Sequence, residues 1–239
     1  MSDLPAPDPK PNLTPWAIWI PIIIAVLGIV VFYNYLLAMQ QQAASEDKDR
    51  PAILGRMERD LKLTERTGKT VHLDDLRGKI ILASWVYTRC PRGCAGVIAK
   101  LKQLQNEYRG NPDIHLVSFT LDPEDTPEMM AKFASGIDVK DNDPWWFVQG
   151  DKEEVRGYLT QFLKFRPVQD LPEKDRLSPD DKYIHDLRVA LVDHKGHLRG
   201  TLYDLMNVDP QFAEHFDAQL RKDLDFLLKE KKKDEEKAR

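Results

Sequence analysis

An apolar run near the start of the chain limits what it can fold into. No residue from Pro11 to Ser45 carries a charge, and from Trp16 to Met39 only Pro21, Gly28 and Asn34 interrupt the apolar side chains. As a helix, Trp16 to Met39 would rise about 36 Å, enough to cross a hydrocarbon layer of about 30 Å with some tilt. Trp16 and Trp19 at one end, and Tyr33 and Tyr35 near the other, sit where interfacial aromatics anchor a span. A cleaved leader fits less well. It would have a shorter apolar stretch, a basic region ahead of it and small residues at the cut. Here Lys10 is the only cation ahead of the stretch, and Ala43-Ala44-Ser45 is a poor cleavage signal. The expectation is one uncleaved transmembrane helix over 16–39.

Basic residues do not orient that helix, because Lys10 precedes it while Lys48 and Arg50 follow it. The first arginine is Arg50, so an Arg-rich organellar presequence is absent, which favours a bacterial inner membrane over a mitochondrial one. The anchor divides the chain into a Pro- and Asp-rich disordered tail (1–15), a polar tether (40–51), a folded domain (52–228) and a charged end (229–239), expected as a frayed, solvated helix tail. The domain is long enough for its own core. A net charge of −4 gives no basic face for nucleic acid.

Within the domain, strand and helix signals alternate. Lys79 to Tyr87 reads KIILASWVY, nearly continuous apolar residues as in a strand covered on both faces. Pro91 to Tyr108 is helical, with Val97, Ile98, Leu101, Leu104 and Tyr108 on one stripe. A strand over Asp113 to Leu121 follows. Thr126-Pro127-Glu128 then reads as an N-cap with proline at the first helical position, and Met129, Met130 and Phe133 are expected to face inward. Trp145 to Val148 is a short strand. Lys152 to Leu163 is a helix that buries Val155, Tyr158, Leu159 and Phe162. Arg188 to Val192 and His197 to Leu202 pair across an Asp193-His194-Lys195-Gly196 turn, and a last helix runs from Asp209 to Leu228. This order predicts an α/β, thioredoxin-like central sheet with flanking helices, preceded by one transmembrane helix.

Two cysteines are too few for a disulfide scaffold, so their placement matters more than their number. Cys90 and Cys94 stand at the turn between a buried strand and a helix start. A helix N-terminus favours negative charge, and Arg89 and Arg92 should push the same way, so thiolates are expected. Thiolates are the nucleophiles of disulfide exchange and soft ligands for Cu(I). Three residues separate the cysteines, one more than in thioredoxin-type reductases, and this lets both sulfurs converge on one ion. Structural zinc would need four ligands and more cysteines. Copper calls for a third ligand of the imidazole type. The candidates are His72, His115, His185, His194, His197 and His215, of which His185 stands out because it precedes the Arg188 to Val192 strand. A structural disulfide in a binding module is the plain alternative. A peroxiredoxin-like peroxidase, suggested by Thr88 two residues before Cys90, is another, although the nearby second cysteine is atypical of that class.

The segments GKIILASWVYTRCPRGC, FTLDPEDTPE and IHDLRVALVDHKGHLRG occur in that order. With an anchor helix ahead of them, they resemble the Sco/SenC family, the copper-binding assembly factors of cytochrome c oxidase, over roughly residues 64 to 205. The resemblance implies a copper chaperone with Cys90, Cys94 and His185 as ligands, and a domain facing the periplasm. The implied partner is a copper-receiving oxidase subunit or another copper chaperone. The alternative role is a thiol–disulfide oxidoreductase that uses Cys90 and Cys94 as its redox pair and keeps the acceptor's cysteines reduced. Asp122 and Pro123 match the family's Asp-Pro segment, but the geometry at the entry to the next helix explains them equally well. The turn itself departs from the family pattern. Arg92 stands where the family usually has aspartate, Gly93 at a variable position, and Ala95 where it has proline.

Overall fold

The computed structural model describes residues 15–91 and 94–238. The tail before residue 15, with Arg92 and Gly93, lies outside them. The described chain forms two compact units that meet between Asp49 and Arg50.

The first unit is a single helix, α1 (Pro15–Lys48), with Pro21 inside it. Trp19–Met39 is long and apolar enough to cross a membrane, and none of its residues is buried. Asn34, the amide in this stretch, donates to the Val30 carbonyl at 2.8 Å, so its polar group is satisfied by its own helix. The helix runs on through most of the segment expected as a tether.

The second unit is built on one mixed sheet. Its strands are β1 (Ile53–Arg56), β2 (Lys62–Glu65), β3 (Thr70–His72), β4 (Ile80–Val86), β5 (Ile114–Thr120), β6 (Trp145–Gln149), β9 (Val189–Val192) and β10 (His197–Tyr203), in the order β1-β10-β9-β4-β5-β6-β2-β3. The short strands β7 (Gln169–Asp170) and β8 (Tyr183–Ile184) form a separate hairpin. The helices are α2 (Cys94–Glu107), α3 (Pro127–Gly136), α4 (Lys152–Gln161) and α5 (Pro210–Lys237). Strands β4, β5 and β6 are parallel, and β9 runs antiparallel to β4. This is the thioredoxin-like arrangement that the alternation predicts.

All seven residues of β4 are buried, because helices and loops cover both faces of the central strands. One core cluster gathers Ile81, Trp85, Phe119, Leu159 and Phe165, and the other gathers Leu82, Val97, Leu101, Phe147 and Leu224. Each such side chain contributes about 1.5–3 kcal/mol on leaving water. The caps follow local chemistry. Thr126 Oγ1 accepts from the Met129 amide at 3.3 Å, with Pro127 opening α3, and Asp151 Oδ1 accepts from the Glu154 amide at 2.9 Å at the start of α4. Strands β1 to β3 have no counterpart in the sequence reading. They lie at the sheet edges and are too short and unevenly buried to show a clear period of two.

The charged end requires a correction. Helix α5 runs to Lys237, well past Leu228. Its charges have partners elsewhere in the domain: Glu230 accepts from Arg199 at 2.8 Å and Arg50 at 2.6 Å, Lys231 donates to Asp113 at 2.8 Å, and Asp234 lies 2.6 Å from Lys195. Lys231 is only 7% exposed. A run of charges reads as solvated only while the opposite charges it meets, distant in sequence, are left out.

Candidate metal centre

The site lies where the C-terminal ends of β4 and β5 open into loops, the edge at which parallel sheets usually bind ligands. Beyond β4 the backbone turns, and the Cys90 amide donates to the Tyr87 carbonyl at 3.1 Å. Cys94 is the first residue of α2. Cys90 therefore stands ahead of the helix, and the turn, not helical periodicity, brings the two sulfurs together. Both are reduced; Cys94 is buried and Cys90 half-buried.

His185 meets this turn from 91 residues beyond Cys94 along the chain. The ligand atoms of Cys90, Cys94 and His185 all lie within 4.8 Å of one another, and Cys94 Sγ is 2.9 Å from His185 Nε2. His185 Nδ1 lies 2.9 Å from the Asp186 carbonyl, which can only accept, so Nδ1 carries the proton and Nε2 turns its lone pair toward the sulfurs. A second partner that fixes the tautomer is a recurrent feature of histidine ligands. Asp186 is itself pinned. Its carboxylate accepts from the Arg166 amide at 2.9 Å, from Arg188 Nε at 2.8 Å and from Arg188 Nη2 at 2.5 Å. Burial alone would raise its pKa, but the Arg188 side chain and the Arg166 and Arg188 amides hold it below the usual carboxylate range.

The other histidines stand elsewhere. His72 pairs with Asp60 at 2.6 Å, His115 packs edge-on against Trp146, His194 meets Asp234 at 3.2 Å and His197 meets Asp193 at 3.2 Å. His215 is exposed beside Phe216. Among the described residues, Cys90, Cys94 and His185 form the group that can converge on a metal ion.

The electrostatic setting differs from the expected one. The hydrogen bond to Cys90 and burial push the Cys94 thiol well above its ordinary pKa. Arg89 is committed to carboxylates: Asp122 at 2.7 Å, Glu124 at 3.1 Å, Asp180 at 3.3 Å and Asp125 at 3.9 Å. Asp122 and Asp125 have fully buried side chains. Thr88 and Thr120 each donate to Asp125 at 2.5 Å. These carboxylates come from the loop after β5 and from the segment before His185. Sequence reasoning found the Asp122-Pro123 loop without its role, because its partner Arg89 is a neighbour only in the fold.

A thioredoxin-like domain with two thiols and an imidazole at one turn defines a class of soft-metal or redox protein. A model of the SCO1/SenC family matches residues 52–219, and the chain belongs to that family. A SCO1 protein homolog from Bacillus subtilis is 30% identical over 132 residues, which are 54% of this chain and 64% of that relative, less than two thirds of its length. Among solved structures, BsSco, described as a cytochrome c oxidase assembly protein with a disulfide switch, superposes with a TM-score of 0.54 at 22% identity, over 72% of this chain and 96% of its own. Bradyrhizobium japonicum ScoI with copper bound gives a TM-score of 0.50 at 23% identity, over 70% of this chain and 99% of its own.

Proposed function

We propose that this protein is a membrane-anchored copper chaperone that holds one copper ion on Cys90, Cys94 and His185 and supports copper-site assembly of cytochrome c oxidase. The observation that carries this reading is the geometry at His185, whose Nδ1 is spent on the Asp186 carbonyl while Nε2 faces two sulfurs. Two thiolates and a neutral imidazole are a donor set suited to copper. Copper is cargo here: one ligand at a time is exchanged for a ligand of the acceptor, an oxidase subunit or a further chaperone. Helix α1 serves as a single-pass anchor in a bacterial inner membrane, with the domain in the periplasm.

The test is copper titration of the full chain in detergent under reducing conditions. One copper per chain is expected, lost in Cys90→Ser and Cys94→Ser and weakened in His185→Ala. A wild-type protein that stays metal-free in this titration defeats the reading.

A second role is supported by the unequal exposure of the two sulfurs. As a thiol–disulfide oxidoreductase, the more accessible Cys90 would attack a disulfide on the copper acceptor and release one thiolate. Cys94 would then attack Cys90 Sγ, release the second and leave a Cys90–Cys94 disulfide. Two electrons pass to the acceptor. Exchange with a protein disulfide that is fast in metal-free protein and unaffected by His185→Ala is the expected signature.

A further inference from the structure

The segment that delivers His185 is an arm built largely from its own backbone bonds. Strands β7 and β8 close its base, with Gln169 opposite Ile184 and Asp170 opposite Tyr183. Inside it, the Leu171 amide donates to the Lys182 carbonyl at 2.7 Å and the Leu177 amide to buried Asp181 at 2.8 Å. Its apolar side chains are divided: Leu171 is buried and Tyr183 packs against the core, whereas Leu177 is 71% exposed and Ile184 49%. Its hold on the cysteine turn is mostly polar and gathers on one residue. Tyr87 Oη donates to the Asp180 carbonyl, and Arg89 Nη1 pairs with the Asp180 carboxylate at 3.3 Å. Tyr183 lays its ring edge-on against Tyr87, with centroids 5.8 Å apart, and Lys182 pairs with Glu124 at 2.8 Å.

These contacts differ in strength. Arg89 is fixed from beneath by Asp122, whose side chain is fully buried, while its contact with Asp180 is open to water, at 30% and 46% side-chain exposure. A partly exposed pair of this kind is worth little alone and weakens with salt. We propose that Tyr87 and Arg89 are positioning residues that latch the 171–184 arm over the cysteine turn through Asp180, so that His185 is presented to the metal while the arm is closed and withdraws when it opens. This rests on the copper reading above. It adds an order to the ligand exchange: the imidazole leaves with the arm, and both sulfurs stay behind, Cys90 on the turn after β4 and Cys94 at the start of α2.

The test uses the full chain in detergent. Arg89→Ala would strip a buried carboxylate of its partner and could unfold the turn, so the informative variants are Asp180→Asn, Asp180→Glu and the double variant Tyr87→Phe/Asp180→Asn. Two quantities are read: amide hydrogen exchange across 171–184 in metal-free protein, and Cu(I) affinity by chelator competition with X-ray absorption reporting imidazole ligation. Asp180→Asn is expected to weaken copper about threefold and the double variant about tenfold, with exchange in the arm faster by similar factors. Asp180→Glu, which keeps the charge, should stay within about twofold of wild type. Unchanged exchange in the double variant overturns the latch. Faster exchange with unchanged affinity and imidazole signal overturns its role in presenting His185. Because exchange is read without metal, failure of the latch remains distinct from failure of copper binding.

Discussion

Nε2 of His185 lies 2.9 Å from Sγ of Cys94, across 91 residues of sequence. The contact joins a side chain at the mouth of a surface hairpin to the first residue of a helix on the central sheet. The group that fixes the imidazole's tautomer lies on the hairpin side, in the Asp186 carbonyl, and Arg188 grips the carboxylate of the same residue.

Asp186→Asn tests that support without touching a ligand. The change removes the charge that Arg188 grips and leaves the Asp186 carbonyl in place. We expect copper affinity to fall about tenfold, as for loss of a group that orients a ligand, with one copper still bound per chain. Chelator competition on the full chain checks this. Stability should drop by roughly 1–3 kcal/mol in urea unfolding.

His115 imposes a pH dependence on the domain, away from the metal centre. Burial, with Lys79 and Arg66 nearby, lowers its pKa to about 4, and its Nε2 has no hydrogen-bond partner. The folded state therefore holds it neutral, while the unfolded chain takes up a proton below about 6.5. Stability is full above that value and declines as pH falls from about 6.5 to about 4, by roughly 2–3 kcal/mol. Urea midpoints measured across this window should fall in wild type, and more shallowly in His115→Phe, which keeps the edge-on ring contact with Trp146.

Truncation after Leu228 separates a structural helix end from a solvated tail. It removes Glu230 from the buried Arg199, Lys231 from Asp113 and Asp234 from Lys195. Arg199 would keep Asp193 at 2.7 Å. The expected loss is roughly 1–3 kcal/mol, read as a lower urea midpoint. A dispensable tail would leave the midpoint unchanged.

Gly200 sits in the irregular stretch of β10 with a φ of +73°. A Cβ there would fall 2.2 Å from the Tyr203 hydroxyl, which donates to Asp223 at 2.5 Å. Gly200→Ala therefore meets both backbone strain and a clash with a buried hydrogen bond. Destabilisation of about 2–4 kcal/mol is expected, against a negligible change for Gly136→Ala, whose Cβ would meet nothing.

The sequence by itself determined the features that depend on neighbours along the chain. A charge-free run of that length dictates a long apolar helix, the KIILASWVY run dictates a strand buried on both faces, and Thr126-Pro127 and Asp209-Pro210 carry their own caps. The placement of two cysteines at a strand-to-helix turn was equally local. Only the tertiary structure decided what surrounds them. Six histidines are alike to a reader of residue types, and the long-range pairing of the sheet decides which one meets the sulfurs. Arg89, adjacent to Cys90, looked like a source of positive charge for the thiols. In the fold it is spent on four carboxylates from two distant segments, because a cation acts on whatever lies within a few ångströms of it and sequence does not measure that distance.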